Sequence, residues 1–201
     1  MTEPFALFIW IFLAFISGAL PFSIWVTRLA GKDPRTVGDQ NPGATNALKA
    51  GGKWIGLAVL LLDVSKAVIP VGLAYQIFGL RGPGMLVLAL APMLGHAYSP
   101  FLRFKGGKAL ATTLGVWIGL TIWDVPLVAL TSLVFWFLFL KNSGWAVTLT
   151  LLAMAAYLWL ARPEPLFGWV LGLQSALLLW KHRHDLRQNP FRRKSKHESP
   201  A

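Results

Sequence analysis

The segment WIGLAVLLLDVSKAVIPVGLAYQIFG, residues 54–79, decides the fold of this chain. It exceeds the roughly 20 apolar residues that a helix needs to cross a bilayer. Its only charged residues are Asp63 and Lys66, which on a helix share a face and can pair. Charged groups inside a membrane span are costly and usually pair or serve a function. Two interpretations stay open: an internal ion pair that fixes helix packing, or a Lys66 that makes a nearby site electropositive.

Six further apolar runs flank this segment. They cover residues 5–29, 84–101, 108–123, 125–140, 144–161 and 165–181. The chain is 55% hydrophobic and only 13% charged, about half the charged share of a soluble domain. This pattern predicts an all-α integral membrane protein, a compact bundle of about seven transmembrane helices in a single domain over residues 1–201. Residues 186–201 are predicted to form a disordered basic tail.

Lysine and arginine predict the orientation of this bundle. Of 19 such residues, all but Lys66, Arg81 and Arg162 fall in the loops and tail of one side. Because cytoplasmic loops carry the excess of positive charge, the C-terminus is predicted in the cytoplasm and the N-terminus outside. The net charge of +11 then reflects topology and an anionic leaflet, so no nucleic-acid partner is expected. The absence of cysteine excludes disulfides, zinc–thiolate sites and thiol nucleophiles.

Two polar segments interrupt the predicted cytoplasmic side. Residues 37–46, VGDQNPGATN, make a poor helix interior, and their backbone N–H groups and amides suit an anionic head group. Residues 104–108, FKGGK, have glycines that let the backbone approach a ligand. Lys108 is predicted in the first turn of the fourth span, where a cation opposes the helix dipole unless an anion is bound. Anchoring to phospholipid would explain Lys105 and Lys108 about as well.

Histidines stand at two helix ends. His96 closes the third span, where it is either an interfacial anchor or a general base or phosphate donor, since an imidazole titrates near neutral pH. The charges of Lys181 and Arg183 suit the end of the last helix, but this does not account for His182. The four histidines lack the spacing of a zinc site, so no metal is expected.

Taken together, these segments resemble the bacterial membrane acyltransferases that transfer an acyl group from acyl phosphate to glycerol 3-phosphate. The resemblance runs through nearly the whole chain, in order. It rests on residues 18–23 (GALPFS), 33–35 (DPR), 41–46 (NPGATN), 62–66 (LDVSK), 95–98 (GHAY), 104–108 (FKGGK) and 182–183 (HR).

The resemblance implies a seven-helix enzyme in the bacterial inner membrane, with its site at the cytoplasmic surface. The substrates would be a long-chain acyl phosphate and glycerol 3-phosphate, and the product lysophosphatidic acid, in the first step of phospholipid synthesis, without metal or coenzyme A. The donor phosphate can itself accept the hydroxyl proton. The predicted catalytic residues are His96, Lys108 and His182. The predicted substrate-binding residues are Asp39, Asn41, Gly43, Thr45, Asn46, Lys49, Lys66, Lys105, Gly106, Gly107, Ser143, Arg183 and Asp185.

The chain departs from the family pattern at several of these positions. Asp39 replaces a usual serine, Lys49 a usual arginine, Gly144 a serine and Asp185 an asparagine. A carboxylate close to a bound phosphate opposes it by several kcal/mol at an effective dielectric near 20. Two alternatives follow from this: the same scaffold with a cationic or neutral alcohol as acceptor, or a non-catalytic protein for lipid binding, transport or regulation.

Overall fold

The computed structural model describes residues 4–191, which are helical with short connections and contain no strand. The α-helices are α1 (Pro4–Ala19), α2 (Phe22–Leu29), α3 (Ala44–Gly51), α4 (Lys53–Gly72), α5 (Gly82–Ala97), α6 (Leu110–Thr121), α7 (Asp124–Phe139), α8 (Ser143–Ala161), α9 (Pro165–Lys181) and α10 (Arg183–Leu186). A π-helical turn, Leu73–Ile77, extends α4. The all-α prediction is confirmed.

Four helical stretches in the described residues are long and apolar enough to cross a membrane. They are Pro4–Leu29, Lys53–Ile77, Gly82–Leu102 and Ser143–Ala161. Leu110–Thr121 and Asp124–Phe139 are shorter apolar helices. Each predicted span overlaps at least one helix, and the first contains two, whereas the count of seven spans and the orientation of the termini stay predictions. The basic residues at 192–196 that entered the orientation argument, like most of the predicted tail, lie outside the described residues.

The chain divides into two compact units after Pro126. In the first unit, α4 packs against α1, α2, α3, α5 and α6. Glycines permit this close packing: a Cβ on Gly18 or Gly95 would overlap backbone atoms between α1 and α5, and one on Gly115 would overlap the carbonyl of Val64 in α4. Small residues at such contacts let helices approach closely in lipid. The prediction of one domain for the whole chain stays a prediction.

The first predicted span, 5–29, is broken rather than continuous. α1 ends at Ala19 and α2 begins at Phe22, because Pro21 has no N–H and cannot continue the helical ladder. The break leaves carbonyls of the last turn for other donors. The carbonyl of Leu20 accepts from Lys66 Nζ at 3.3 Å, and that of Ala19 accepts from the Ser99 hydroxyl at 2.6 Å.

Two sequence predictions about local structure are wrong. The segment 37–46 is not loop throughout, since α3 begins at Ala44 and Gly43 is its N-cap residue. Lys108 does not lie in a first helical turn, since α6 begins only at Leu110. Ala109 has φ +62°, a left-handed conformation, so α6 starts after Ala109 and does not extend back to Lys108. Lys108 therefore lies just before the N-cap residue of α6 instead of within the first turn, which weakens its opposition to the helix dipole.

In the second unit, α8 packs against α9 and α10. The segment that begins α8 also contacts the chain after α10. The N–H of Lys141 donates to the carbonyl of Pro190 at 2.9 Å, and Trp145 Nε1 donates to the carbonyl of Gln188 at 3.3 Å. These bonds hold residues 187–190, the start of the predicted tail, against the N-terminus of α8.

Candidate active site

A buried polar cluster lies at the broken end of α1 in the first unit. Lys66 Nζ donates to Asp63 Oδ1 at 2.8 Å, to His96 Nδ1 at 2.7 Å and to the carbonyl of Leu20. The side chains of Asp63 and Lys66 are each 2% exposed. The predicted ion pair is confirmed, and all three N–H groups of the ammonium have acceptors. Because Asp63 compensates its charge, Lys66 adds little net positive charge nearby.

The same bonds fix the tautomer of His96. An ammonium can only donate, so His96 Nδ1 accepts and the proton of the neutral ring is on Nε2. Nε2 faces residues 104–108, which we call the glycine segment, because a Cβ on Gly107 would overlap this nitrogen. Of the two chemical roles predicted for His96, this geometry favours the hydrogen-bond donor over the general base.

His96 also shapes the glycine segment through its backbone. The N–H of Gly107 donates to the carbonyl of His96 at 3.1 Å. A Cβ on Gly106 would overlap that carbonyl as well, so both glycines are required by close approach. Arg103, Phe104 and Ala109, around this segment, have positive φ, each at a cost of roughly 1–2 kcal/mol. The backbone from 103 to 109 is therefore held in a shape that it would not adopt alone.

Directly after these glycines, Lys108 meets the first polar segment. Lys108 Nζ lies 2.7 Å from Asp39 Oδ2. Asp39 Oδ1 accepts from Asn46 Nδ2 at 2.8 Å and from the N–H of Asn41 at 3.3 Å. We call the three donors, from Asn41, Asn46 and Lys108, the anion cradle. All of its members were predicted substrate-binding or catalytic residues, and a carboxylate of the chain itself now occupies it.

The charge state of Asp39 follows from these contacts. Partial burial raises the pKa of Asp39, but the hydrogen bond and charge of Lys108, with the donors of Asn46 and Asn41, outweigh it and lower the pKa to about 2. Asp39 is thus ionised at neutral pH. Its charge is compensated by Lys108, so it does not by itself argue for a cationic acceptor.

The side-chain oxygen of Asn46, Oδ1, is a buried hydrogen-bond acceptor. Asn46 Nδ2 donates to Asp39 and to the carbonyl of Asn41, which fixes the amide orientation. Its Oδ1 is buried and has no hydrogen-bond partner within residues 4–191. This oxygen lies beside Gly38, where a Cβ would also meet Lys49 Nζ at 2.8 Å. Gly38 and Gln40 both have left-handed φ, +62° and +61°, so the turn depends on conformations that glycine adopts most easily.

An open groove of about 770 Å³ lies beside this region in the first unit. Its lining is both cationic and apolar. The cationic residues are Arg28, Arg35, Arg103 and Lys105, and the apolar ones include Ile24, Trp25, Phe101 and Leu102. Arg35 is partly compensated by Asp33, 2.7 Å away. Such a lining suits a ligand with an anionic head and an apolar chain.

A third cluster lies in the second unit and contains two further predicted residues. Ser143 Oγ donates to Asp185 Oδ2 at 3.0 Å, and the side chain of Asn142 bonds the carbonyl of Asp185 and the N–H of Gly144. A Cβ on Gly144 would lie 2.9 Å from the Cβ of Asp185. The glycine in place of a family serine therefore admits close packing against Asp185.

The other two predicted residues of the second unit lie at the start of α10. His182 is 2% exposed, and its Nδ1 donates to the carbonyl of Leu178 at 2.8 Å. In the neutral ring Nε2 then carries the lone pair, the reverse of His96. Arg183 donates to the carbonyl of Trp180 and lies over its ring, 4.4 Å from the centroid.

Sequence reasoning missed several buried hydroxyl and amide groups. Ser99 and Asn142 bond backbone groups, as described above, and Ser23 Oγ is buried without a hydrogen-bond partner within residues 4–191. Ser23 lines a small recess with Lys66, His96 and Gly107. Thr45 and Lys105, both predicted, are exposed.

The comparisons with known proteins agree with the resemblance. The family model described as glycerol-3-phosphate acyltransferase matches residues 8–189. The glycerol-3-phosphate acyltransferase of Pasteurella multocida is 38% identical over 188 residues, which cover 92% of this chain and 90% of that protein. The protein of the same name from Methylobacillus flagellatus is 38% identical over 184 residues, which cover 90% and 91%.

The fold also matches two crystal structures of PlsY, an integral membrane glycerol 3-phosphate acyltransferase. The glycerol 3-phosphate form has a TM-score of 0.84 and 30% sequence identity, with 90% of each chain covered. The lysophosphatidic acid form has a TM-score of 0.81 and 28% identity, with the same coverage.

Proposed function

This chain belongs to the glycerol-3-phosphate acyltransferase family, and from that premise we propose that it acylates the sn-1 hydroxyl of glycerol 3-phosphate at the cytoplasmic face of a bacterial inner membrane. The proposed donor is a long-chain acyl phosphate and the product lysophosphatidic acid. The anion cradle carries the proposal: Asn41, Asn46 and Lys108 already hold a carboxylate, and the same donors suit a phosphate. The bias of lysine and arginine supports the cytoplasmic orientation.

The proposed chemistry asks little of the protein beyond position and charge. The acceptor hydroxyl oxygen attacks the carbonyl carbon of the acyl phosphate, an ester bond forms, and the bond from that carbon to the phosphate oxygen breaks. Inorganic phosphate leaves and takes the hydroxyl proton. Lys108 would stabilise the developing charge. No step needs a metal or coenzyme A.

The polar groups of the first unit suggest where each part of the acceptor binds. The phosphate would lie in the anion cradle, with Lys49 nearby. The buried Oδ1 of Asn46 would accept a hydrogen bond from a glycerol hydroxyl, since a buried acceptor without a partner costs about 1–3 kcal/mol. His96 would hold the glycine segment in shape and direct Nε2–H towards it. The predicted roles of Gly43, Thr45, Ser143, His182, Arg183 and Asp185 stay predictions.

The groove beside this region suits the donor. An acyl chain would contact Trp25 and Phe101, and the acyl phosphate head would be attracted by Arg103 and Lys105. Association would then depend on both apolar contact and charge.

A two-substrate assay tests the proposal. Purified protein in detergent should form lysophosphatidic acid and phosphate from palmitoyl phosphate only when glycerol 3-phosphate is present, and not from palmitoyl coenzyme A. Folded protein that forms no product with either donor would refute it. Faster turnover of ethanolamine or glycerol than of glycerol 3-phosphate would instead favour the alternative acceptors.

A further inference from the structure

The anion cradle is occupied by the chain's own carboxylate. Asp39 Oδ2 lies 2.7 Å from the ammonium nitrogen of Lys108, and Oδ1 accepts hydrogen bonds from the Asn46 amide and the Asn41 N–H. From this arrangement we infer that Asp39 is a resident competitor, which fills the cradle in the empty enzyme and must be displaced by the phosphate of an incoming substrate. The inference rests on the proposed function, in which the cradle binds that phosphate.

The geometry supports competition rather than cooperation. Asn46 Nδ2 has two N–H groups, one donated to Asp39 and the other to the carbonyl of Asn41, so a phosphate oxygen can bond this amide only if Asp39 gives up its place. At Lys108 the phosphate would have to share the ammonium with the carboxylate that lies 2.7 Å from it. A carboxylate that stayed in place would face the phosphate at close range and oppose it electrostatically. Asp39 as an acceptor-only group also cannot donate to phosphate, whereas the serine usual in the family can.

The surroundings allow Asp39 to leave. Its side chain is 30% exposed and that of Lys108 is 20% exposed. Asp39 lies between Gly38 and Gln40, which both have left-handed φ in a surface turn. A rotation of the Asp39 side chain towards solvent would therefore expose the cradle without moving a helix. Partly exposed ion pairs of this kind are worth only modest free energy, so a doubly charged phosphate can compete for the lysine.

The inference makes this chain differ from relatives with a serine at this position. Asp39 is ionised at neutral pH, because its pKa is about 2, so competition is present under all ordinary assay conditions. The chain should therefore need a higher concentration of phosphate-bearing substrate than an otherwise equal enzyme with serine. Asp39 would set the working range of substrate concentration rather than the chemistry.

Binding of anions to the purified protein tests this directly. We would titrate inorganic phosphate and, separately, glycerol 3-phosphate into the native protein and the variants Asp39→Ser and Asp39→Asn, by calorimetry in detergent. The Kd of both ligands should fall by about two- to fivefold in each variant, as removal of a partly exposed competing pair implies. The KM of the substrate whose phosphate uses the cradle should fall by the same factor, with kcat changed less than twofold. Comparing the KM of glycerol 3-phosphate with that of palmitoyl phosphate identifies that substrate.

The chain offers a matched control. Asp33 forms an equally short pair with Arg35, 2.7 Å, in the same connection between α2 and α3, but it has no contact with Lys108 among those described. Asp33→Asn should leave both Kd values unchanged. The Asp39→Asn variant keeps the side-chain volume, so it separates loss of charge from loss of the turn.

The outcomes separate the inference from the proposed function. A Kd or KM that rises in the Asp39 variants would show that Asp39 holds substrate and would overturn the inference, and unchanged values would do the same. If native protein binds phosphate more weakly than Asp39→Asn yet forms no product, the competitor stands and the proposed function fails. If native protein turns over normally and the variants bind no better, the proposed function stands and the competitor fails.

Discussion

Two aspartate–lysine pairs in the first unit have almost the same geometry and opposite surroundings. Asp63 and Lys66 lie 2.8 Å apart with 2% of each side chain exposed, whereas Asp39 and Lys108 lie 2.7 Å apart with 30% and 20% exposed. Distance alone would give them the same importance. Solvent makes the difference, because a buried charge that loses its partner has no water to replace it.

The buried pair is therefore part of the scaffold. Its bonds join α4 to the broken end of α1 and to His96 on α5, which in turn carries the glycine segment. The pair near the surface joins a turn to a segment that is not helical, and either partner can exchange for another ion. Burial thus separates an ion pair that holds the site together from one that the site can give up.

Removing one member of the buried pair should have the largest effect. Asp63→Asn leaves Lys66 charged and poorly compensated, so the free energy of unfolding should fall by about 3–5 kcal/mol. Thermal unfolding in detergent measures this change. The double variant Asp63→Leu with Lys66→Met, in which no charge is buried, should recover most of the loss. A single variant as stable as the native protein would remove the distinction between the two pairs.

Removing Lys108, the lysine of the partly exposed pair, should affect activity rather than folding. Lys108→Met should lower kcat/KM by about a hundredfold or more, the usual cost of losing a group that stabilises transition-state charge. Its unfolding temperature should stay within a few degrees of the native value. Lys53→Met, at the exposed start of α4, is the control for removal of a lysine outside the anion cradle and should keep full activity. Activity retained by Lys108→Met would exclude the anion cradle as the phosphate site.

The third prediction concerns the link between the buried pair and the glycine segment. In His96→Asn, the amide oxygen can still accept from Lys66, so the fold should persist while the glycine segment is less well positioned. We expect activity to fall about tenfold, less than the hundredfold or more expected for loss of a general base. The pH–rate profile should keep its shape. Loss of the acidic limb in the variant would show that His96 acts as the base after all.

The smallest expected effect is the contribution of Asp39 to stability. The folded-state pKa of Asp39 is about 2, below the ordinary value of 3.8 for an aspartate, so its pair stabilises the protein above about pH 4, and this contribution is lost as the pH falls towards 2. Asp39→Asn should lower the free energy of unfolding at pH 7 by no more than about 1 kcal/mol. Unfolding measured at pH 7 and pH 3 should show that this difference shrinks at the lower pH. If the free energy of unfolding fell by several kcal/mol, the Asp39–Lys108 pair would be as important for stability as the buried Asp63–Lys66 pair.

Much of the fold could be predicted because it depends on local composition. Every apolar run is mainly helical, since a chain in lipid must satisfy its backbone hydrogen bonds within each segment. The pairing of Asp63 with Lys66 followed from helical spacing alone. The break at Pro21 has a local cause that the span prediction did not use, since proline has no N–H. The start of α6 beyond Lys108 was not predicted, because it depends on a residue distant in sequence: His96 lies against Gly106 and Gly107.

The candidate site was predicted in its membership but not in its state. The sequence placed Asn41, Asn46 and Lys108 among the phosphate-binding residues, and the structure brings them together. It could not show that Asp39 fills their centre or that His96 is a donor. Both facts depend on which partner each polar atom finds, and partners from four separate segments meet only in the folded chain.

The sequence by itself determined that this is a helical membrane protein of the acyltransferase family, because apolar run length, charge distribution and ordered motifs are properties of the chain. Only the tertiary structure decided which of its charges are fixed and which are exchangeable. Two similar aspartate–lysine pairs differ because helices exclude water from one and a surface turn leaves water beside the other. Hydropathy places Asp63 and Lys66 inside a span, but the meeting of Lys108 with Asp39 and the water left beside that pair are properties of packing.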